Sequence, residues 1–309
     1  VRSSVLLLVI EDLPLEYGAR QWKVNAAGGT FKAMIVVRAD TMGVCMGVKR
    51  ALGIVEEVLA ANPGTPVSTL GPLIHNRRVV DEFRARGVVP VENLSEVHDG
   101  IVIIRAHGIG LDQLALCRQE GLRCVDATCP HVRRIHEKVS EFDAKGFHAI
   151  IVGDAGHGEV KGIRGYARSS SVIATEEEAE TVALPSPSIV VSQTTFTRAA
   201  STRIAAVLRR RDPGITVFET TCAATERRQE SILRLADGVE ALLVIGGRES
   251  ANTRWLYEAA RATGRPSWQI EVAGDIPPEI RQFARVGISA GASTPDTTVD
   301  EVEKALLSM

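Results

Sequence analysis

Three cysteines stand in three similar settings along the 309-residue chain. Cys45 closes Ala39-Asp40-Thr41-Met42-Gly43-Val44-Cys45, Cys129 closes Val125-Asp126-Ala127-Thr128-Cys129, and Cys222 closes Phe218-Glu219-Thr220-Thr221-Cys222. Each stretch carries an acidic residue and a threonine ahead of the thiol. Each is followed by a basic run that reads as the opening of a helix: Val48-Lys49-Arg50-Ala51, Val132-Arg133-Arg134-Ile135 and Thr225-Glu226-Arg227-Arg228. A shared signature recurring at intervals of roughly ninety residues marks an internal repeat of a whole α/β unit. Three equivalent units can bring three thiols to one pseudo-threefold axis, and three converging sulfurs suit a metal centre. The helix start favours thiolate at each position. Zinc fits poorly, because structural zinc sites usually take four ligands from closely spaced pairs and these three cysteines bring no local partner. Soft thiolates also suit iron–sulfur clusters, and three of them on a four-iron cluster leave one iron without a protein ligand. The plainer alternative is three buried packing thiols. Cys117 and Cys124 lack the loop signature and read as packing residues within a helix and a strand.

A second set of residues follows strand-like runs: His75, His107 and His157, with Ser250, Asn252 and Ser293 in corresponding loops. Singly, a histidine is most often a satisfied, partly buried side chain. Three at equivalent strand ends, with hydroxyl and amide company, describe a donor-rich pocket for a phosphate-bearing anion. No G-x-x-x-x-G-K-[ST] sequence is present, which argues against a nucleoside triphosphate. Glu159 is the carboxylate of the glycine-rich stretch Gly156-His157-Gly158-Glu159, read here as a loop. Beside a cluster and an anion its pKa would rise, making it a candidate proton donor. Thr194 and Thr195, in Gln193-Thr194-Thr195, read as either a hydroxyl relay or a turn cap. His98, His131, His136 and His148 lack such company and read as structural or solvent-facing.

The elements that must hold these residues alternate between strand and helix, the grammar of parallel α/β units. Ile101-Val102-Ile103-Ile104, Ala149-Ile150-Ile151-Val152 and Ala241-Leu242-Leu243-Val244-Ile245 are continuous apolar runs, as expected of strands buried on both faces. In such sheets ligands bind beyond the carboxyl ends of the strands, where the polar residues collect. A formal net charge of −2 argues against nucleic-acid binding by broad phosphate neutralisation. No apolar run reaches the length of about 18–20 residues that a membrane span needs. Five cysteines, an odd number, suit reduced thiols in a cytoplasmic protein better than a disulfide framework. Residues 1–33 look unlike the rest. Val5 to Ile10 is a short apolar run closely followed by acids, which suits neither a signal nor a transit peptide. This stretch is expected to be an extension, with the functional chain beginning near Met34.

Taken together, these motifs resemble the 4-hydroxy-3-methylbut-2-enyl diphosphate reductase family of the methylerythritol phosphate route to isoprenoids. The resemblance runs from about Met34 to the C-terminus. It rests on Gly43-Val44-Cys45-Met46-Gly47-Val48, Gly71-Pro72-Leu73-Ile74-His75-Asn76, Arg105-Ala106-His107-Gly108, Asp126-Ala127-Thr128-Cys129-Pro130 and Gly156-His157-Gly158-Glu159-Val160. Ser192-Gln193-Thr194-Thr195, Thr221-Cys222-Ala223-Ala224-Thr225 and Gly291-Ala292-Ser293-Thr294-Pro295 complete it. The resemblance implies a trefoil of three pseudo-threefold-related α/β modules, with mainly parallel sheets, around a central [4Fe-4S] cluster held by Cys45, Cys129 and Cys222. On that plan residues 47–130, 131–219 and 220–309 form the modules, the last completed by strand 34–46. The open iron would take the substrate hydroxyl. His75, His107, His157, Thr194, Thr225, Ser250, Asn252 and Ser293 would contact substrate, and Glu159, Thr194 and His157 would be the catalytic set. Two electrons would arrive singly from reduced ferredoxin or flavodoxin, giving isopentenyl and dimethylallyl diphosphates. A monomer or weak dimer is expected.

Three positions depart from the family pattern. Ala251 stands where many members carry a second serine, Gly158 replaces a common proline and is expected to loosen the stretch that aims Glu159, and Ala223 replaces a common aromatic. Two other readings use the same thiols: a non-redox iron–sulfur dehydratase, and a zinc or iron sensor in which the cysteines regulate binding. The second gives no reason for the His-Gly-Glu and Gln-Thr-Thr stretches.

Overall fold

The computed structural model describes residues 34–309; the expectation for 1–33 lies outside them. The described strands form three parallel four-stranded sheets in a trefoil-like, three-module arrangement, as the fold reading anticipated. In the first sheet β2 (Val67–Leu70) and β4 (Ile101–Ile104) are central, flanked by β3 (Val88–Val91) and β5 (Arg123–Asp126). In the second, β6 (His148–Val152) and β8 (Ser188–Ser192) lie between β7 (Ser170–Ile173) and the two-residue β9 (Thr216–Val217). In the third, β10 (Ala241–Ile245) and β12 (Arg285–Ala290) lie between β11 (Ser267–Ile270) and β1 (Ile35–Arg38). Strand β1 thus pairs in parallel with β12, Ile35 opposite Arg285 and Arg38 opposite Ile288.

Side chains alternate faces along a strand, and helices cover both faces of each sheet, so the central strands β4 and β10 are apolar throughout. Ile101 and Ile103 enter one core cluster while Val102 and Ile104 enter another. Ile150 and Val152 part in the same way from Ala149 and Ile151, and Leu243 and Ile245 from Leu242 and Val244. Truncating one such residue, Leu243→Ala for example, would cost about 2–5 kcal/mol through lost burial and the cavity left behind.

The strand ends hand over to helices at residues suited to capping. Cys45, Cys129 and Cys222 are the N-caps of α1 (Met46–Ala61), α4 (Pro130–Asp143) and α8 (Ala223–Asp237). The Asn76 side chain accepts from the Val79 N–H at the start of α2 (Arg77–Ala85). Helix α3 (Leu111–Gln119) holds Cys117 and strand β5 holds Cys124, as read from sequence. Cys117 is buried and packs with Cys124 in the core of the first sheet. No helix among the described residues is long and apolar enough to cross a membrane.

Candidate active site

The sheets present two classes of strand end to one cavity. The cysteines follow the edge strands β1, β5 and β9. The other candidates follow central strands: His75 after β2, His107 after β4, His157 and Glu159 after β6, Thr194 after β8, Ser250 and Asn252 after β10, and Ser293 after β12. Thr225 sits in the first turn of α8. All twelve candidates converge: eleven line the cavity, and His157 packs against the rings of His75 and His107.

A repeated backbone bond registers the thiol loops. The Cys45 N–H donates to the Ala292 carbonyl (3.0 Å), the Cys129 N–H to Ala106 (2.9 Å) and the Cys222 N–H to Thr194 (2.8 Å). Each acceptor follows the central strand paired with the cysteine's own edge strand. The thiols also meet one another. A Cβ placed on Gly47 would lie 2.6 Å from the Cys129 sulfur and 3.9 Å from the Cys45 sulfur, so a larger residue there would collide with the thiol set. Cys129 also senses the charges of Cys45 and Cys222. Burial, chiefly, pushes the Cys129 thiol up, its two thiol neighbours add to this, and backbone N–H groups of His131 and Val132 oppose it. The helix start therefore supplies the expected donors to Cys129, but burial outweighs them until a cation is bound. Three convergent sulfurs without a fourth thiol fit a three-thiolate iron–sulfur site.

The imidazole set is as tightly drawn. Ring centroids are 4.5 Å apart for His75 and His107 and 5.2 Å for each of them with His157. Both ring nitrogens of His75, Nδ1 of His107 and Nδ2 of Asn252 are buried without a hydrogen-bond partner. Leaving such groups unpaired is costly, so the cavity wall is built for a ligand that accepts from the one N–H of each neutral ring and from the Asn252 amide. Burial lowers the pKa of all three histidines, well below the usual value for His107 and to about 4 for His157, with neighbouring rings and Arg105 adding to it. His157 Nδ1 accepts from the Glu159 N–H at 3.2 Å, which places the proton of the neutral ring on Nε2. The three rings are close enough to ligate one metal ion, with nitrogens within 4.8 Å of one another. The nearby Arg105 charge makes an anion the better match. Ser293 Oγ donates to the His75 carbonyl at 3.0 Å, and Ser250 Oγ caps α9 (Ala251–Ala262) by accepting from the Thr253 N–H.

Glu159 differs from its sequence reading in one respect: it lies in the first turn of α5 (Gly158–Arg164), with His157 as the N-cap, and not in a loop. Gly158 is the first residue of that helix. A Cβ on Gly158 would lie 2.6 Å from Nη2 of Arg105, and one on Gly71, whose φ is +70°, would lie 2.3 Å from Nη1. The guanidinium fills the space that a side chain at Gly158 would take. Glu159 is 2% exposed. Its Oε1 accepts from the Thr194 N–H (2.6 Å) and its Oε2 from the Thr194 hydroxyl (2.8 Å). Burial raises its pKa to about 7, against the opposing pull of the two Thr194 bonds. Such a carboxyl holds a proton near neutrality and can release it.

Thr195, which reads beside Thr194 as a hydroxyl relay or a turn cap, lines the cavity, and so does His131, which reads from sequence as structural or solvent-facing. Arg105 and Arg228 were visible only as parts of the motifs around His107 and Cys222, where nothing distinguishes a buried arginine from a solvated one. His136 is buried and stacks on Tyr166 at 4.3 Å, while His148 bonds Ser169 and Ser171, both structural as read. Ala251 is buried in the cavity wall, and Ala223 is exposed at the first position of α8.

Comparison with known proteins places this arrangement. The model of the family described as LytB protein matches residues 36–307. A curated protein of Treponema pallidum, named 4-hydroxy-3-methylbut-2-enyl diphosphate reductase, is 38% identical over 88% of this chain and 83% of its own. One of the same name from Aquifex aeolicus is 36% identical over 88% of this chain and 95% of its own. A solved reductase from Plasmodium falciparum superposes with a TM-score of 0.83 at 25% identity, covering 87% of this chain and 86% of its own. A second solved structure, titled as the terminal enzyme of the non-mevalonate pathway, superposes with a TM-score of 0.67 at 35% identity, covering 89% and 99%.

Proposed function

The chain belongs to the LytB family of 4-hydroxy-3-methylbut-2-enyl diphosphate reductases, and from that premise we propose how its cavity removes a hydroxyl from the allylic diphosphate. The observation that carries the reading is the joint lining of one cavity by three convergent thiols, unpartnered imidazoles and a carboxyl that titrates near neutrality. The overall change is balanced: two electrons and two protons enter, the allylic C–O bond breaks, a C–H bond forms and water leaves. The products are isopentenyl and dimethylallyl diphosphates.

Cys45, Cys129 and Cys222 would hold a [4Fe-4S] cluster. Such a cluster, when bound, supplies electrons singly and leaves one iron open to the substrate oxygen. The donor-rich wall of His75, His107, His157, Ser250, Asn252 and Ser293 binds the diphosphate, whose oxygens accept from groups otherwise left unpaired. With Thr225 it orients the allylic chain so that the hydroxyl faces the thiol side. Glu159 gives its proton as the C–O bond breaks, through or beside the Thr194 hydroxyl to which it is bonded, and His157 fixes the Glu159 backbone. Burial of the carboxyl keeps this proton away from bulk water until substrate arrives. The electrons come from a reduced ferredoxin or flavodoxin in a reducing, cytoplasmic setting, and the chain acts as a monomer or weak dimer.

The test is anaerobic. The protein is reconstituted with iron and sulfide, its EPR and Mössbauer spectra are recorded, and the hydroxylated allylic diphosphate is titrated in. One iron site should change on addition, and turnover should require reductant. Turnover without reductant would favour the dehydratase reading, and tight zinc binding without any cluster would remove the redox reading altogether.

A further inference from the structure

Arg228 is 4% exposed, yet among the described residues it forms no ion pair with a carboxylate. Its Nη1 donates to the Ala224 carbonyl at 2.7 Å and its Nη2 to the Gly43 carbonyl at 2.6 Å. Ala224 lies in the first turn of Arg228's own helix, two residues after Cys222, and Gly43 lies two residues before Cys45, so the guanidinium ties the helix that Cys222 caps to the Cys45 loop. Its Nε is buried without an acceptor. Burying a cation this deeply without an anion is expensive, and carbonyl dipoles repay only part of the cost. Burial lowers the pKa of Arg228 and Arg227 adds to this, while Cys45 and Cys222, which line the same cavity, offset part of it.

The other basic residues of the thiol helices are differently engaged. Arg133 pairs with Asp126 near solvent, and half-buried Arg50 reaches the Thr128 and Asp126 carbonyls. Lys49, Arg134 and Arg227 are exposed. Of these, only Arg228 lines the cavity with the three thiols, and it does so from a site that water screens little. Three thiolates around an iron–sulfur core carry net negative charge, which grows by one unit with each electron accepted. A fixed cation beside them therefore stabilises the reduced form more than the oxidised form.

Resting on the reading of the thiols as iron–sulfur ligands, we propose that Arg228 is a positioning residue and the built-in counter-charge of that centre. It holds the Cys45 and Cys222 loops together and raises the reduction potential of the group they bind.

The experiment uses the full chain, reconstituted anaerobically as wild type, Arg228→Lys, Arg228→Gln and Arg228→Met. Iron and sulfide per chain are measured, and midpoint potentials are read by EPR during a dithionite titration. With cluster retained, Arg228→Met should shift the reduction equilibrium at least about tenfold towards the oxidised form, about 59 mV more negative for one electron, and Arg228→Lys should recover most of the shift. A merely structural role would lower the melting temperature of the variants without moving the potential, and an unmoved potential in a fully loaded Arg228→Met overturns the proposal. Should the neutral variants load no iron, loading of Arg228→Lys supports the role of charge, and failure of Arg228→Lys as well overturns it. Wild-type protein that binds no cluster would defeat the reading of the thiols themselves, a result separate from all of these.

Discussion

The thiol and imidazole sides of the cavity are built from the same threefold plan and end in opposite chemistry. The thiols cap helices after edge strands, and the imidazoles and hydroxyls stand after central strands. On the thiol side the charge to be met would be that of the proposed centre, and a buried guanidinium bonded to its own helix and to the Cys45 loop lines the same cavity. On the imidazole side the rings stay neutral, with unpaired donors awaiting an anion. Half-buried Arg105, packed against Gly71 and Gly158, supplies positive potential there without displacing the rings. On the proposed reading, strand position separates the thiols that would supply electrons from the donors that would bind the anion.

Breaking one side should spare the other. Cys129→Ser should abolish iron loading and reductant-dependent turnover, yet bind isopentenyl diphosphate within about threefold of the cluster-free wild type in calorimetry. A matching loss of diphosphate affinity would show that the two sides are not separable. Glu159→Gln should retain iron and lower turnover by roughly 10²–10⁴-fold. In the wild type, the rate should fall as pH rises through about 7 and the carboxyl loses its proton.

The same substitution carries a stability signature. Because the Glu159 pKa is raised from 4.5 to about 7 on folding, the folded chain binds more protons in that window and the wild type loses stability as pH rises through it. Glutamine does not titrate. Cluster-free Glu159→Gln should therefore gain on the wild type between pH 5 and pH 8 by up to the order of 3 kcal/mol, read from denaturant melts at the two pH values.

On the imidazole side, His75→Ala should weaken isopentenyl diphosphate binding by about 10- to 100-fold with iron content unchanged, the loss of a hydrogen bond to a charged group. Ala251→Ser should have the smallest effect, about a twofold change in KM, since it adds one hydroxyl to a wall already rich in donors.

What the sequence revealed follows from what each residue must satisfy. Central strands such as Ile101–Ile104 and Ala241–Ile245 are buried on both faces, and their apolar runs admit little else. The edge strands were harder to read. Val88–Val91 contains Pro90, Ser170–Ile173 is half polar, and Thr216–Val217 has two residues, so neither length nor pattern marks them. Thiols and imidazoles were legible because their residue types and loop settings recur. Glu159 was found as a residue but not as a helical one, since Gly-His-Gly reads as a turn until the His157 cap is seen. Buried Arg228 and half-buried Arg105 were not legible, because their placement depends on a carbonyl and glycines far away in the chain.

The pairing of β1 with β12 bears on how the molecule is made. A ribosome produces the strand that carries Cys45 before any other described here, and produces its partner roughly 250 residues later. At about 5–20 residues per second that interval is on the order of 10–50 s, during which Cys129 and Cys222 emerge on modules whose own sheets can close locally. Cys45 meanwhile hangs on a strand with no neighbour, and its backbone acceptor at Ala292 does not yet exist. The pairing that registers Cys45 therefore waits for β12, and on the proposed reading of the thiols cluster insertion would wait for it too.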